Sequence, residues 1–331
     1  MDFKAFKHSI FNLQSPSEFN EIALSLFRYQ YKNNKIYKNF VDALGVSESK
    51  VYHPEQIPFL PVSFFKTHKI ITGDFMEEVV FESSGTTGME TSKHYVVDAD
   101  LYEQSFTKGL ELFYGDLSQY VVFALLPSYL ERGNSSLVYM VERILLKTNR
   151  KMGGFFLNDL EALQLQLLEA QRLGLKIILF GVTFALLDMA ENFPLPIPEA
   201  IIFETGGMKG RKEEITRLQL HEQLCKGFGV PKIFSEYGMT ELLSQGYTAG
   251  GLTFSTPSWM KVLIRETNDP LTTMAHGRNG GLNIIDLANI DSCAFIATQD
   301  LGTVYMDGTF EVLGRFDDSE IRGCNLMVGN S

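Results

Sequence analysis

The sequence is poor in cysteine: it contains only Cys225, Cys293 and Cys324, an odd number at wide spacing. It has no CxxC pair, and its six histidines show no spacing typical of metal ligands. These absences argue against a disulfide-stapled scaffold and against a structural zinc site.

Long apolar runs are also lacking. The most apolar long stretch, residues 177–187, is too short to cross a bilayer, which takes about 20 residues. The N-terminal stretch has no apolar segment of the kind that a signal peptide contains. From the sequence we therefore expect a cytoplasmic protein without a membrane span.

Positive charge is scarce, because 29 lysines and arginines stand against 40 acidic residues, for a net charge of −11. Nucleic-acid binding depends on lysine and arginine that neutralise phosphates, so this balance argues against nucleic acid as a partner. An acidic protein can still bind ATP through local backbone amides, a lysine and Mg²⁺. The 331 residues, 45% of them hydrophobic, predict one large or two modest domains with an ample core.

The pattern of apolar residues divides the chain into three parts. Residues 1–75 predict a helical N-terminal segment that packs on the main domain. Residues 76–250 alternate short apolar strands with helical stretches, which predicts a mainly parallel α/β sheet. This part carries two candidate motifs for nucleotide binding, which make it the expected nucleotide-binding part. Residues 251–331 predict a β-rich part and a short C-terminal tail. Between them lies a hinge-like motif, the Gly-Arg-x-Asp stretch that begins at Gly314.

Local signals predict where some of these elements begin and end. Asn158 and Glu161 are typical of the N-cap and third position of a helix start. In the β-rich part, Asp307-Gly308 is a favoured two-residue turn and predicts a hairpin there.

The most distinctive motif is a loop rich in serine, threonine and glycine that follows a predicted strand. Such a loop can wrap a polyphosphate, because glycine lets the backbone approach, hydroxyls donate and a nearby lysine supplies charge. It lacks the GxxxxGK[ST] spacing of a P-loop, and taken alone a flexible polar turn explains it equally well. The candidate residues are Ser83, Ser84, Gly85, Thr86, Thr87 and Gly88, followed by Lys93 and His94.

A second motif directly follows another predicted strand, and ligands bind at the carboxyl ends of strands in open α/β sheets. Its tyrosine could stack on a base, its threonine could donate to a phosphate, and Glu241 could hold Mg²⁺. The alternative is a tyrosine-glycine turn with a solvated glutamate. The residues are Glu236, Tyr237, Gly238, Met239, Thr240 and Glu241.

Two further motifs lie in the β-rich part. Asp300 follows a predicted strand and could accept hydrogen bonds from ribose hydroxyls, or it simply begins the turn before Gly302. Arg315 lies in a Gly-Arg-x-Asp stretch after the hairpin and could contact ribose or phosphate. The alternative for that stretch is a charged, solvated tail.

Together and in this order, the four motifs resemble those of the adenylate-forming superfamily of acyl ligases. The resemblance implies ATP and Mg²⁺ as cofactors. It implies that the loop binds the phosphates of ATP, that residues 236–241 contact adenine, phosphate and the metal, and that Asp300 contacts ribose. Gly206-Gly207 stands where the superfamily has a glycine turn beside adenine. The implied fold is the large N-terminal domain of these enzymes, a mainly parallel α/β sheet with a β-rich part.

One subfamily is more similar than the rest. Residues 57–68, residues 128–133 and Arg322-Gly323-Cys324 resemble the acyl-protein synthetase (LuxE-type) family of bacterial bioluminescence. Members of that family activate a fatty acid as acyl-AMP, move the acyl group onto a cysteine near their C-terminus and pass it to a reductase partner. The resemblance implies that Cys324 is the acceptor, whereas Cys225 and Cys293 lie in predicted core elements.

The chain departs from the superfamily pattern in three ways. Gln299 replaces a glycine before Asp300, and Ser92-Lys93-His94 replaces a Pro-Lys pair, so Lys93 is the nearest cationic candidate. We also expect the small C-terminal domain to be essentially missing, as in the shorter acyl-protein synthetases. His94 could orient the carboxylate of the acid substrate or donate a hydrogen bond to the α-phosphate of ATP. The alternative is a structural hydrogen-bonding role.

Two alternatives stay open at this point. One is an acyl- or aryl-CoA ligase of the phenylacetate type, or an enzyme that loads a carrier protein; discharge of the adenylate by CoA or pantetheine would identify it. The other is a non-catalytic, nucleotide-binding regulatory protein, which would show no ATP–pyrophosphate exchange with any carboxylate.

Overall fold

The computed structural model describes residues 6–7, 9–83, 91–126, 134–148, 152–206, 215–267, 269 and 271–316. The chain forms two compact units. One is the continuous stretch Met76–Pro257, and the other combines Met1–Phe75 with Ser258–Ser331. The N-terminal segment and most of the β-rich part, which are distant in sequence, therefore fall in the same unit.

The described residues form helices and strands along most of their length. The α-helices are α1 (Pro16–Asn33), α2 (Lys35–Ala43), α3 (Phe64–Thr67), α4 (Ala99–Tyr114), α5 (Ser136–Lys147), α6 (Leu160–Arg172), α7 (Thr183–Asn192) and α8 (Arg217–Phe228). The strands are β1 (Leu60–Pro61), β2 (Val79–Glu82), β3 (Lys93–Val96), β4 (Tyr120–Leu125), β5 (Gly154–Phe155), β6 (Lys176–Gly181), β7 (Ile201–Glu204), β8 (Phe234–Tyr237), β9 (Gly246–Thr248), β10 (Phe254–Ser255), β11 (Met260–Arg265), β12 (Asn279–Asp286), β13 (Phe295–Val304) and β14 (Phe310–Arg315). Among the described helices, none combines the length and the apolar character that a membrane crossing requires.

The unit Met76–Pro257 is built on a sheet with the strand order β10-β9-β8-β7-β6-β4-β5. Strands β4 to β8 pair in parallel, and β9 and β10 continue the order in antiparallel pairs. Strands β4 and β6 are apolar and buried at nearly every position, as strands covered on both faces are. The mainly parallel α/β sheet predicted from the sequence is confirmed. Strands β2 and β3 form a separate antiparallel pair.

The other unit is built on the antiparallel strands β11 to β14, with β1 added in parallel beside β13. The buried side chain of Gln30 fastens helix α1 to the connection between β12 and β13. Its Nε2 donates to the carbonyl oxygens of Asn289 and Ile290, both at 2.9 Å, and its Oε1 accepts from the Ala294 N–H at 2.9 Å. One side chain thus satisfies three backbone groups in the interior.

Replacing Gln30 by leucine should destabilise this unit strongly, because the change keeps most of the volume but removes all three bonds. Each buried backbone group left without a partner costs about 1–3 kcal/mol, so we expect a loss of about 3 kcal/mol or more. Urea unfolding measures it. The matched change Gln171→Leu, at an exposed position of α6, should stay within about 0.5 kcal/mol of wild type. Equal effects of the two substitutions would contradict the anchoring role of Gln30.

Two local predictions are wrong by one residue. The cap of helix α6 is Asp159, whose carboxylate accepts from the Ala162 N–H at 2.9 Å, and not Asn158. Both residue types cap helices well, so their adjacency leaves the choice to the surrounding packing.

The hairpin between β13 and β14 has a three-residue turn rather than the predicted two-residue turn. The Tyr305 N–H donates to the Thr309 carbonyl at 2.8 Å, and the Gly308 N–H donates to the Tyr305 carbonyl at 3.0 Å. Gly308, with φ +85°, takes the left-handed position that ends such a turn. The Asp-Gly pair therefore forms the second and third residues of the turn.

Candidate active site

The carboxyl ends of β7 and β8 lie side by side, because these strands pair in parallel with Glu204 opposite Ser235. Gly206 follows β7, and residues 236–241 begin within β8. Gly206 has φ +79°, a left-handed conformation that glycine adopts without strain. Two of the predicted motifs thus meet at the edge where open α/β sheets bind ligands.

His94 connects strand β3 to the second of these motifs. Its side chain is buried, and Nδ1 lies 2.8 Å from the carbonyl oxygen of Thr240. Because a carbonyl oxygen only accepts, Nδ1 carries the proton and donates it. The bond holds the turn that carries Glu241, whose side chain is also buried. His94 is therefore placed to position Thr240 and Glu241.

The serine-, threonine- and glycine-rich loop joins β2 to β3, and its two ends are tied together. The Ser83 N–H donates to the Ser92 carbonyl at 3.0 Å, and the Ser92 N–H donates to the Ser83 hydroxyl at 2.9 Å. The predicted residues that lie outside the described ones are Ser84, Gly85, Thr86, Thr87, Gly88, Gly207 and Cys324.

Lys93 stands opposite Glu82 in the register of β2 and β3, with 3.3 Å between Nζ and Oε1. Both side chains are well exposed, and such surface ion pairs contribute only about 0–1 kcal/mol. Breaking this pair would therefore cost little stability.

Asp300 and Arg315 lie in the other unit, opposite each other in the register of β13 and β14. The Arg315 Nε is 3.5 Å from Asp300 Oδ1, and the arginine side chain is mostly exposed. The Asp300 N–H donates to the Thr298 hydroxyl at 3.1 Å, which fixes the backbone at this strand position. The third and fourth motifs are thus brought together with each other.

Glu204 is a buried carboxylate beside the glycine turn that none of the sequence motifs includes. It is 3% exposed, and its Oε2 accepts from the Gly206 N–H at 3.0 Å and from the Thr183 hydroxyl at 3.2 Å. The Arg217 Nε and the His221 Nε2 lie 3.7 and 3.9 Å from its Oε1. Glu204 therefore holds the backbone of the turn in place.

The pKa of Glu204 lies below its ordinary value, although burial by itself would raise it. Polar contacts with His221 and Ser235, the charge of Arg217 and the Gly206 N–H together outweigh the burial. Glu204 is therefore ionised at neutral pH. The sequence signal that could have revealed it is a carboxylate at the end of an otherwise apolar strand, since buried charges need dedicated partners.

Glu236 has the opposite protonation behaviour. Removal from water raises its pKa to about 8, and the nearby negative charge of Glu204 adds to the rise. At neutral pH its carboxyl group is therefore mostly protonated and can donate a hydrogen bond as well as accept one.

The raised pKa of Glu236 predicts a pH dependence of folding stability. The unfolded chain loses this proton near the ordinary value of 4.5 and the folded protein near 8, so stability should fall as pH rises through that window. Glu236→Gln, which is neutral at every pH, should become more stable relative to wild type between about pH 4.5 and about pH 8 and level off above. Urea unfolding across this range measures the difference. A difference in the free energy of unfolding between variant and wild type that stays constant with pH would contradict the raised pKa of Glu236. Glu222→Gln, at an exposed position, is the control.

The acidic side chains of the site are compatible with a metal ion that binds together with a nucleotide. Among the residues described, no three histidine, cysteine or acidic side chains group as a metal site. Mg²⁺ in nucleotide-dependent enzymes is usually held by one or two carboxylates together with substrate phosphates. A single carboxylate such as Glu241 is compatible with that mode of binding.

The two described cysteines lie in environments that disfavour the thiolate. Burial raises the pKa of Cys293 to about 12, a rise that a backbone hydrogen bond at Phe295 only partly offsets. Cys225 is half-buried, and burial raises its pKa as well. Neither has the low pKa that marks a reactive thiol.

The chain is similar to two curated proteins along most of its length, although no protein-family model matches it. The long-chain-fatty-acid–luciferin-component ligase of Vibrio harveyi is 24% identical over 331 residues, which are 92% of this chain and 85% of that protein. The protein of the same name from Aliivibrio fischeri is 23% identical, over 94% of this chain and 88% of that protein. The resemblance to acyl-protein synthetases is confirmed.

Solved structures of ligases share the fold. A 2-hydroxyisobutyryl-CoA ligase in the postadenylation state matches 91% of this chain and 68% of its own, with a TM-score of 0.66 and 12% identity. ATP-bound MatB from Rhodopseudomonas palustris matches 71% of this chain, with a TM-score of 0.54 and 16% identity. The matched part is 47% of MatB, about half its length. The adenylate-forming fold predicted from the motifs is confirmed.

Proposed function

We propose that this chain, a homologue of the luciferin-component ligases with the fold of adenylate-forming enzymes, is an ATP-dependent acyl-protein synthetase. It activates a fatty acid as acyl-AMP, moves the acyl group to a cysteine and delivers it to a partner protein. The observation that carries the proposal is the meeting of the Gly206 turn with residues 236–241 at adjacent strand ends. Because the reaction consumes ATP, we propose the cytoplasm as its location.

In the first half-reaction a carboxylate oxygen of the acid attacks the α-phosphorus of ATP. A bond forms between that oxygen and the α-phosphorus, the bond to the bridging oxygen breaks, and pyrophosphate leaves. Lys93 and the loop amides reduce the repulsion between the two anions, and His94 keeps Thr240 and Glu241 in position. Mg²⁺ on Glu241 would neutralise charge on the phosphates.

In the second half-reaction the Cys324 thiolate attacks the acyl carbon, the bond to AMP breaks, and a thioester forms. A thiolate is a strong nucleophile, and AMP is a good leaving group. The raised pKa values of Cys225 and Cys293 support the choice of Cys324 as the acceptor.

The alternatives draw less support. The two curated relatives bear names that join a fatty acid to a luciferin component, and this favours a protein acceptor over CoA or a carrier. The buried Glu241 and the bond from His94 to the Thr240 carbonyl favour a catalytic protein over a regulatory one.

ATP–pyrophosphate exchange with a panel of carboxylic acids tests the proposal. We expect exchange that requires both Mg²⁺ and an acid of the fatty type. Absence of exchange with every acid would overturn adenylation. Rapid discharge of the adenylate by CoA, with no acyl group left on the protein, would show that the protein is a CoA ligase and not an acyl-protein synthetase.

A further inference from the structure

Helix α6 carries apolar side chains on two opposite sides. Its buried side consists of Leu163, Leu167 and Ala170, and the helix packs against strand β6. Leu165 and Leu168 lie on the other side and are 62% and 39% exposed. A single exposed leucine is ordinary, whereas the outer side of a surface helix is usually polar. The two leucines, three residues apart, form an apolar strip on that side.

Two charged residues flank this strip on the same side of the helix. Glu161 precedes Leu165 by four residues, and Arg172 follows Leu168 by four, so the spacings along the side are four, three and four residues. These spacings place side chains in one line along an α-helix and are those of a coiled-coil seam. Both charged residues are exposed. We call Glu161, Leu165, Leu168 and Arg172 the outer stripe.

The outer stripe is complementary to a second copy of itself. Its two leucines lie at equal distances from its midpoint, and so do its two charged residues. When two copies of α6 lie antiparallel across a twofold axis at that midpoint, Leu165 of each copy faces Leu168 of the other. Glu161 of each copy then faces Arg172 of the other. A twofold interface brings one patch against itself and therefore requires such a pattern. A parallel pair would instead bring like charges together, which is unfavourable.

Arg172 is already ordered for this contact. Its Nε donates to Glu169 Oε2 at 2.7 Å, and its Nη2 donates to Glu169 Oε1 at 2.6 Å. A guanidinium has five N–H donors, so these two bonds leave donors for the carboxylate of a second copy. A side chain that is held in place before binding loses less conformational entropy when it binds.

The stability of the helix explains its terminal charges but not its exposed leucines. Glu161 in the first turn and Arg172 in the last turn both interact favourably with the helix dipole. That effect gives no reason for apolar side chains between them. Pairing with a second copy explains all four residues, because it buries the leucines and gives each charge an opposite partner.

We propose that the protein forms a twofold dimer through antiparallel pairing of α6 in two copies. The leucines form the apolar centre of the interface, and two Glu161–Arg172 ion pairs lie at its ends. Helix α6 has 13 residues and is about 20 Å long, so the interface is small and the dimer is weak and reversible. Because α6 carries none of the candidate site residues, the dimer does not depend on the proposed function.

Sedimentation velocity of the full chain, from about 1 to about 200 μM, tests the dimer, since weak association is populated in this range. We expect the dimer fraction to rise with protein concentration. Leu165→Gln should weaken dimerisation by about tenfold or more, because the substitution acts twice in a twofold dimer. The matched control is Leu112→Gln, at a position on α4 that is 61% exposed, and it should leave the equilibrium unchanged.

Charge reversal tests the antiparallel register. Glu161→Arg and Arg172→Glu should each weaken the dimer by about threefold or more, because each brings two pairs of like charges together. The double variant exchanges the two charges and keeps the net charge of the chain. It should therefore recover most of the affinity that the single variants lose. Circular dichroism of every variant checks that its helix content is that of wild type.

Three results would overturn the proposal. The first is a chain that stays monomeric at every concentration, which would leave a helix of a different protein as the occupant of the outer stripe. The second is a dimer that Leu165→Gln does not weaken, because such a dimer uses another surface. The third is a double charge variant that recovers none of the lost affinity. Leu168→Gln replaces Leu165→Gln in the test if the latter does not fold.

Discussion

Replacing Cys324 by serine should abolish the covalent retention of the acyl group while ATP–pyrophosphate exchange stays close to wild type. Adenylation needs no thiol, whereas the transfer step needs a thiolate as nucleophile. The measurement is retention of a radiolabelled fatty acid after denaturation. The wild-type label should be released by neutral hydroxylamine, as a thioester is.

The other two cysteines provide the controls for this prediction. Cys225→Ser and Cys293→Ser should both retain the label, because burial raises the pKa of each thiol and disfavours its thiolate. Cys293→Ser should instead lower stability, since it places a hydroxyl in a fully buried position. Label that persists in Cys324→Ser and disappears in Cys225→Ser would show that the acceptor was assigned to the wrong cysteine.

Replacing Glu241 by alanine should lower ATP–pyrophosphate exchange by about 10²-fold or more, the usual scale for losing an electrostatic contact in the transition state. Glu241 is the buried carboxylate at the turn that His94 holds through the Thr240 carbonyl. Its loss should also raise the Mg²⁺ concentration needed for half-maximal exchange. Initial rates at saturating ATP and acid, across a Mg²⁺ series, measure both effects.

A structural role for Glu241 would predict something else. Alanine there would then lower the free energy of unfolding and leave the Mg²⁺ dependence of the remaining activity unchanged. Glu161→Ala, at an exposed position on α6, serves as the control for loss of one acidic residue. Near-native exchange by folded Glu241→Ala would remove the metal assignment.

The parallel sheet of the unit Met76–Pro257 was predictable from the sequence, because short apolar runs such as β4 and β6 are typical of strands buried on both faces. The short apolar run of β7 likewise predicted that Gly206 follows a strand end. Residues 236–241 were expected to follow a strand, but β8 extends to Tyr237 and includes the first two of them. The helices of residues 1–75 were also predictable, but the grouping of this segment with residues 258–331 in one unit was not. Gln30 and Ala294 are 264 residues apart, and no local pattern carries a contact at that separation.

Within the candidate site, the sequence pointed to Gly206 and to residues 236–241 because each lies at the end of a short apolar strand. Glu204 was missed for a physical reason: a hydrophobic pattern predicts that a position is buried but not which atoms its polar group contacts. Glu204 has partners from the two helices that begin at Thr183 and Arg217. Only the three-dimensional structure brings those helix starts to one carboxylate.

The most direct test of the account follows an oxygen atom from the acid into the nucleotide. Incubating the protein with ATP, Mg²⁺ and a fatty acid whose carboxyl group is labelled with oxygen-18 should give AMP that carries a labelled oxygen, because the carboxylate oxygen becomes bonded to the α-phosphorus and leaves with AMP when the acyl carbon is attacked. Mass spectrometry of the nucleotide detects it. Formation of ADP, with the label in inorganic phosphate instead, would contradict acyl adenylation and with it the central claim.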